Sequence, residues 1–156
     1  MSQLISGQSS SLERSAVSAT AVMVNADVIF TIVNGPIVII DLMSVCQTAN
    51  DATASTLQYQ SVPSGAGMSA ATISGATSSL ASVALGATAR LTPTALTTAP
   101  TLVLATAGGV SLGLDAANKI LVHQGTIKIV IGVGSTTGTW KHYLRYIPLD
   151  SNTYAY

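Results

Sequence analysis

From residue 125 onward, apolar and polar side chains alternate with a period of two, and that rhythm confines the chain to extended backbone. Ile127, Ile129, Ile131 and Val133 alternate with Lys128, Val130 and Gly132. After the turn-rich run Gly134-Ser135-Thr136-Thr137-Gly138, a second stretch runs from Thr139 to Ile147. It sets Trp140, His142, Leu144 and Tyr146 on one face and Lys141, Tyr143 and Arg145 on the other. A helix, repeating every ~3.6 residues, would smear these two sets around its circumference, whereas a strand separates them. The two stretches are predicted to form a hairpin whose outer face carries Lys128, Lys141, Tyr143 and Arg145. Pro148, which has no N–H to offer a ladder, closes it.

Shorter signals of the same kind fill the rest. Val28 to Val33 is β-branched and apolar and leads into Asn34-Gly35, a dipeptide that tolerates the positive φ of a tight hairpin turn. Pro36 then opens a run from Ile37 to Cys46. Val83, Leu85, Ala87, Ala89 and Leu91 alternate with Ser82, Ala84, Gly86, Thr88 and Arg90, which predicts a further strand. Thr101–Ala107 and Val110–Leu114 flank Gly108-Gly109, a second candidate two-residue hairpin. The alanine-rich middle, residues 65–89, has no apolar stripe at helical spacing and is broken by Gly75, Gly86 and many hydroxyl residues. It is expected to form loops and narrow strands. Eight or more short strands with turns between them predict an all-β fold, a β-sandwich for which a jelly roll is one form.

The composition narrows the function. Only 8% of the 156 residues are charged, six acidic and six basic, whereas about 25% is usual in a soluble domain. Alanine, serine and threonine supply 22, 19 and 19 residues. Such a chain lacks the clustered ionisable groups an enzyme uses to move protons or hold metals, so no catalytic role and no cofactor are expected. Zero net charge and the lack of a basic stripe argue against nucleic acid as a partner. No apolar run approaches the ~18 residues of a membrane span, and the first residues lack the pattern of a secretory signal, so no membrane partner is expected. The single Cys46, within an apolar run, reads as a buried, inert thiol. Gly109-Val110-Ser111-Leu112-Gly113 matches the nucleophile-elbow pattern, with Asp115 and His123 following in triad order. That motif requires a strand-to-helix turn, and here it lies in an alternating strand. His123 and His142 have no cysteine or carboxylate at metal-ligand spacing, and both read as interface or edge-of-core histidines. The six acids are far apart in sequence, so no local pair marks a glycosidase.

A bland, hydroxyl-rich surface suits a subunit that lies against copies of itself or against a larger assembly. The chain divides into a polar arm (1–25), a sandwich domain (26–150) and a short C-terminal tail (151–156). The arm offers Leu4, Ile5, Leu12, Arg14 and Val17 to a partner. The last hairpin offers Lys128, Lys141, Tyr143 and Arg145, tyrosine and arginine being frequent interface anchors.

The two ends also resemble a known group. Gln3-Leu4-Ile5-Ser6-Gly7-Gln8 with Leu12-Glu13-Arg14, and Gly125-Thr126-Ile127 with the run from Thr139 to Leu149, are similar to small structural proteins of tailed bacteriophages, over about a third of the chain. Such proteins resemble capsid decoration, or cement, proteins. The resemblance implies a β-sandwich subunit, commonly trimeric, that clamps neighbouring major capsid proteins on the outer surface of the virion. It transfers no site residues. Other roles with the same composition are a tail-fibre, adaptor or head-fibre module and, more distantly, a carbohydrate-binding β-sandwich.

Overall fold

The computed structural model describes residues 13–91, 100–103, 119–132 and 135–156. Twelve strands run through them: β1 (Arg14–Val17), β2 (Ala21–Val24), β3 (Val28–Val33), β4 (Ile37–Cys46), β5 (Leu57–Pro63), β6 (Ala71–Thr72), β7 (Thr88–Arg90), β8 (Thr101–Val103), β9 (Ile120–Val122), β10 (Gly125–Ile131), β11 (Ser135–Pro148) and β12 (Tyr154–Ala155). They pair antiparallel in two sheets. The seven-stranded sheet has the order β1-β11-β4-β7-β8, with β2 also on β11 and β9 also on β4. The five-stranded sheet has the order β12-β3-β10-β5-β6. The protein is a β-sandwich, as the period of two requires, and no described residue is helical.

Alternation decides which side chains fill the space between the sheets. Trp140, Leu144 and Tyr146 of β11 and Ile37, Ile39, Leu42 and Cys46 of β4 are buried from one side. Phe30, Ile32, Ile127, Ile129, Ile131, Leu57 and Tyr59 are buried from the other. The inward face of β4 switches phase midway. Ile37 and Ile39 point in, then Leu42, Ser44 and Cys46 do. A bulge explains the switch: Arg145 pairs with Asp41 but Tyr146 pairs with Ile39, so β4 holds one extra residue and Ile40 and Asp41 both lie on the outer face. Two tyrosines tie the layers together by their hydroxyls. Tyr59 reaches from β5 to within 2.7 Å of Ser44 Oγ on β4. The Tyr146 hydroxyl accepts the N–H of Ala155 at 2.9 Å.

Several expectations are corrected. β10 and β11 are consecutive but do not pair, because β10 lies between β3 and β5 while β11 lies against β1, β2 and β4. The connection therefore crosses between layers, and no last hairpin exists. Asn34 and Gly35 do take positive φ, 63° and 137°, yet their turn also carries the chain from one sheet to the other. From residue 14 the supposed arm is sheet: β1 and β2 run in succession along β11, with Ser18 bridging them by accepting the His142 N–H at 2.9 Å. The C-terminal residues are no tail, since β12 pairs with β3 and Ala155 is buried. In the alanine-rich middle, loops and narrow strands are found as expected, but the strand predicted over 82–91 shrinks to Thr88–Arg90. Leu85 is 63% exposed in a turn where the Ala87 N–H bonds to Ala84 O and Gly86 takes a φ of 86°. The Gly108-Gly109 hairpin and Ser111 lie outside the described residues.

Candidate interaction surface

The outer face of the seven-stranded sheet gathers the apolar side chains that alternation and the β4 bulge turn away from the core. β4 contributes Val38, Ile40, Met43 and Val45, all half-buried. Register places Val38 between Leu121 of β9 and Ile147 of β11, and Met43 beside Tyr143. Tyr143 in turn lies opposite Val17 of β1. Val17 and Leu121 are 49% and 51% exposed, so the patch reaches solvent at two of its margins. A sheet face of this kind, with a continuous apolar row along its central strand, has the make-up of a protein-contacting surface.

Among the described residues, four of the five charges on this face are paired locally. Arg90 of β7 forks onto Asp41, its Nε donating to Oδ1 at 2.9 Å and its Nη2 to Oδ2. A fork of this type matches both carboxylate oxygens and holds them in one plane. The two side chains are 14% and 6% exposed, which is unusual for an ion pair on the outside of a sheet. Arg145, directly across from Asp41, pairs with Glu13 at the sheet margin. Lys141 sits over the Tyr143 ring, 5.9 Å from its centroid, within the range of a cation–π contact.

Of the predicted interface residues, the structure brings Val17, Lys141, Tyr143 and Arg145 together here. Lys128 is elsewhere, on the outer face of the five-stranded sheet opposite Gln60 and Val28. Arg14 leaves the face: its Nη1 donates to Thr153 O at 2.7 Å and its Nη2 to Ser151 O at 3.4 Å, clasping the turn before β12. Leu4, Ile5 and Leu12 lie outside the described residues. Sequence reasoning missed Val38, Ile40, Met43, Val45 and the Arg90–Asp41 pair. A lone aspartate within the apolar run Ile37–Cys46 was the available signal, because a carboxylate inside a strand of that kind needs a cation opposite it.

The remaining reactive side chains lie apart from this surface. Cys46 is buried, its thiol donating to Thr48 O at 3.0 Å, and burial raises its pKa. His142 is buried in the core and His123 is exposed, so only His123 sits where a partner can reach it. Among the described residues, no three His, Cys, Asp or Glu side chains converge as metal ligands. Comparison with known proteins finds no match to this chain, whether among family models, curated proteins or solved structures, so function is read from the surface itself.

Proposed function

We propose that this protein is a virion structural subunit that decorates a phage capsid and reinforces it by bridging neighbouring major capsid proteins, acting as a homotrimer without chemistry of its own. The observation that carries this reading is the outer face of the seven-stranded sheet. There Val17, Tyr143, Lys141 and Arg145 stand beside the apolar row Val38, Ile40, Met43 and Val45, with Arg90 paired to Asp41 within the face and Arg145 to Glu13 at its margin. Covering such a face releases apolar surface from water at roughly 25 cal/mol per Å², with four of its five described charges already paired. A partner that binds only the assembled shell stabilises the shell by mass action, and the effect accumulates over many copies.

Particles assembled without the chain test the proposal. They are expected to release their genome at lower temperature and under milder osmotic shock, and adding the purified protein back is expected to restore resistance. Equal fragility with and without it defeats the reading. So does a copy number of tens or fewer per particle, which belongs to a tail or vertex component.

A further inference from the structure

The turns at the Pro36 and Pro148 ends of β4 and β11 carry a second surface of different chemistry. Where the turn before β4, the link into β10 and the turn before β12 meet, they border a shallow, widely open groove of about 760 Å³. Asn34, Gly35, Gln124, Asp150, Asn152 and Tyr154 line it. That volume lies in the range of small-molecule sites, but the lining is polar where such sites are usually apolar.

The backbone under the groove is locked from several directions. The Asn34 side-chain amide donates to Asn152 O at 3.3 Å, and the Thr153 hydroxyl donates to Asn34 O at 2.9 Å. Thr153 N–H bonds to Asp150 O at 3.1 Å, and Leu149 N–H to Pro36 O at 3.1 Å. The Arg14 guanidinium grips the carbonyls of Ser151 and Thr153 from outside the groove. Gly35 is required at this junction, since a Cβ there would stand 2.5 Å from Thr153 Oγ1 and its φ of 137° disfavours other residues. Ser64 N–H fixes Gln124 by its carbonyl at 2.9 Å. These bonds use backbone groups for the most part and leave the Gln124 and Asn152 amides and the Asp150 carboxylate facing the groove. A site held this rigidly loses little entropy when a ligand arrives.

We infer that this groove is a binding site for a neutral saccharide. Amides and a carboxylate present donors and acceptors in planar pairs, which suit the adjacent hydroxyls of a sugar ring, each a donor and an acceptor. Tyr154 supplies an apolar ring face for the sugar's C–H surface. It is 45% exposed and stands beside Tyr156, with ring centroids 5.9 Å apart and planes tilted by 33°, so the two form a short aromatic shelf. Phosphorylated and acidic ligands fit poorly, because among the described residues no cationic side chain lines the groove and Asp150 repels an anion. Wholly apolar ligands fit no better, since they would strip water from the Gln124 and Asn152 amides and the Asp150 carboxylate without replacing it. The site is independent of the proposed capsid contact: it uses none of the same side chains.

An array of neutral, sialylated and phosphorylated oligosaccharides, probed with the full chain, tests the inference, followed by calorimetry on the best neutral ligand. At least one neutral saccharide is expected to bind, and Tyr154→Ala and Asn152→Ala are each expected to weaken it about tenfold, the loss of one neutral contact. Asp150→Asn, which keeps the planar shape, is expected to lose less. Tyr143→Ala, on the outer face of the seven-stranded sheet, is expected to bind like the parent, and all variants to keep the parent's melting temperature. Retention on capsids is expected to be unchanged in the groove variants, so the two readings fail separately. The inference is overturned if no saccharide binds at millimolar concentration, if sialylated or phosphorylated ligands are preferred, or if Tyr154→Ala and Asn152→Ala leave binding intact.

Discussion

His142 shows how one side chain can set a pH limit on this fold. The Tyr59 hydroxyl donates to Ala89 O at 3.2 Å, and Ser44 Oγ lies 2.7 Å from that hydroxyl and 2.6 Å from His142 Nδ1. Each hydroxyl has a single proton, so Ser44 donates to Tyr59 and His142 donates to Ser44 from Nδ1, and the neutral imidazole then carries its lone pair on Nε2. Burial disfavours the cation and lowers the His142 pKa from 6.5 to about 4, and burial likewise raises that of Tyr59. His142 also borders a small cavity of about 140 Å³ shared with Asp27, Met23 and Ile129, and Asp27 is the one carboxylate in that lining. The unfolded chain takes up the proton near pH 6.5, the folded chain only near pH 4. The stability due to neutral His142 is therefore complete above about pH 6.5 and declines as pH falls toward 4, by about 3 kcal/mol in all. Urea midpoints measured from pH 7.5 to 4.5 are expected to fall accordingly. H142Q, which keeps a donor for Ser44 but cannot titrate, is expected to flatten that slope even if it is less stable at pH 7.5. An equally steep slope in H142Q assigns the acid sensitivity to another group.

Strands fall into place here by contacts that alternation does not encode. Period two correctly sorts Trp140, His142, Leu144 and Tyr146 inward from Lys141, Tyr143 and Arg145, and Ile127, Ile129 and Ile131 inward from Lys128. It says which face meets the core and nothing about which neighbour lies alongside, so β10 and β11 looked like a hairpin although they belong to different sheets. The same blindness explains Asn34-Gly35: positive φ demands those residues in a hairpin turn and equally in a corner between layers. Arg14 and Ser15 hid β1, because an edge strand needs one apolar anchor, Ala16 opposite Leu144, and obtains the rest of its hold from backbone bonds. β2, four residues with Met23 alone buried, is too short for alternation to mark. At the interaction surface, Tyr143 and Arg145 were legible as anchors. Val38, Ile40, Met43 and Val45 were not, since every residue of an apolar run looks like core until a bulge decides which ones turn outward. The edge strand has a testable duty. Removing residues 1–18 strips β1 from Tyr143–Tyr146 and bares a row of backbone donors and acceptors on a long strand. Such an edge recruits other edges. The truncated chain is expected to self-associate with rising concentration in light scattering, while the full chain holds one size. A truncated chain of unchanged size and melting temperature shows β1 to be dispensable.

For the molecule as a whole, scarcity of charge determines how association should respond to solvent. Net charge is zero, with only six cations and six anions, and on the candidate face Arg90 is forked onto Asp41 and Arg145 is paired with Glu13. Attachment through that face releases apolar area and disturbs few ion atmospheres. Salt screens exposed charges over about 8 Å at physiological strength, so a charge-driven contact weakens steeply as salt rises. A contact driven by apolar burial does not, and excluded salts such as sulfate strengthen it. Binding of the purified protein to bare particles is therefore expected to vary less than about threefold between about 0.05 and about 0.5 M sodium chloride, and to tighten in ammonium sulfate. Val45 supplies the complementary test. It is half-buried on the outer side of β4, between Lys141 and Thr88, so Val45→Lys puts a second cation beside Lys141 in the patch without entering the core. The isolated variant is expected to melt within about 0.5 kcal/mol of the parent, as surface substitutions do. Its binding to particles is expected to drop at least about tenfold, because the new charge loses its water when the face is covered. If Val45→Lys binds like the parent, or if sodium chloride alone releases the parent chain, the seven-stranded face is not the contact and the capsid is held by some other surface.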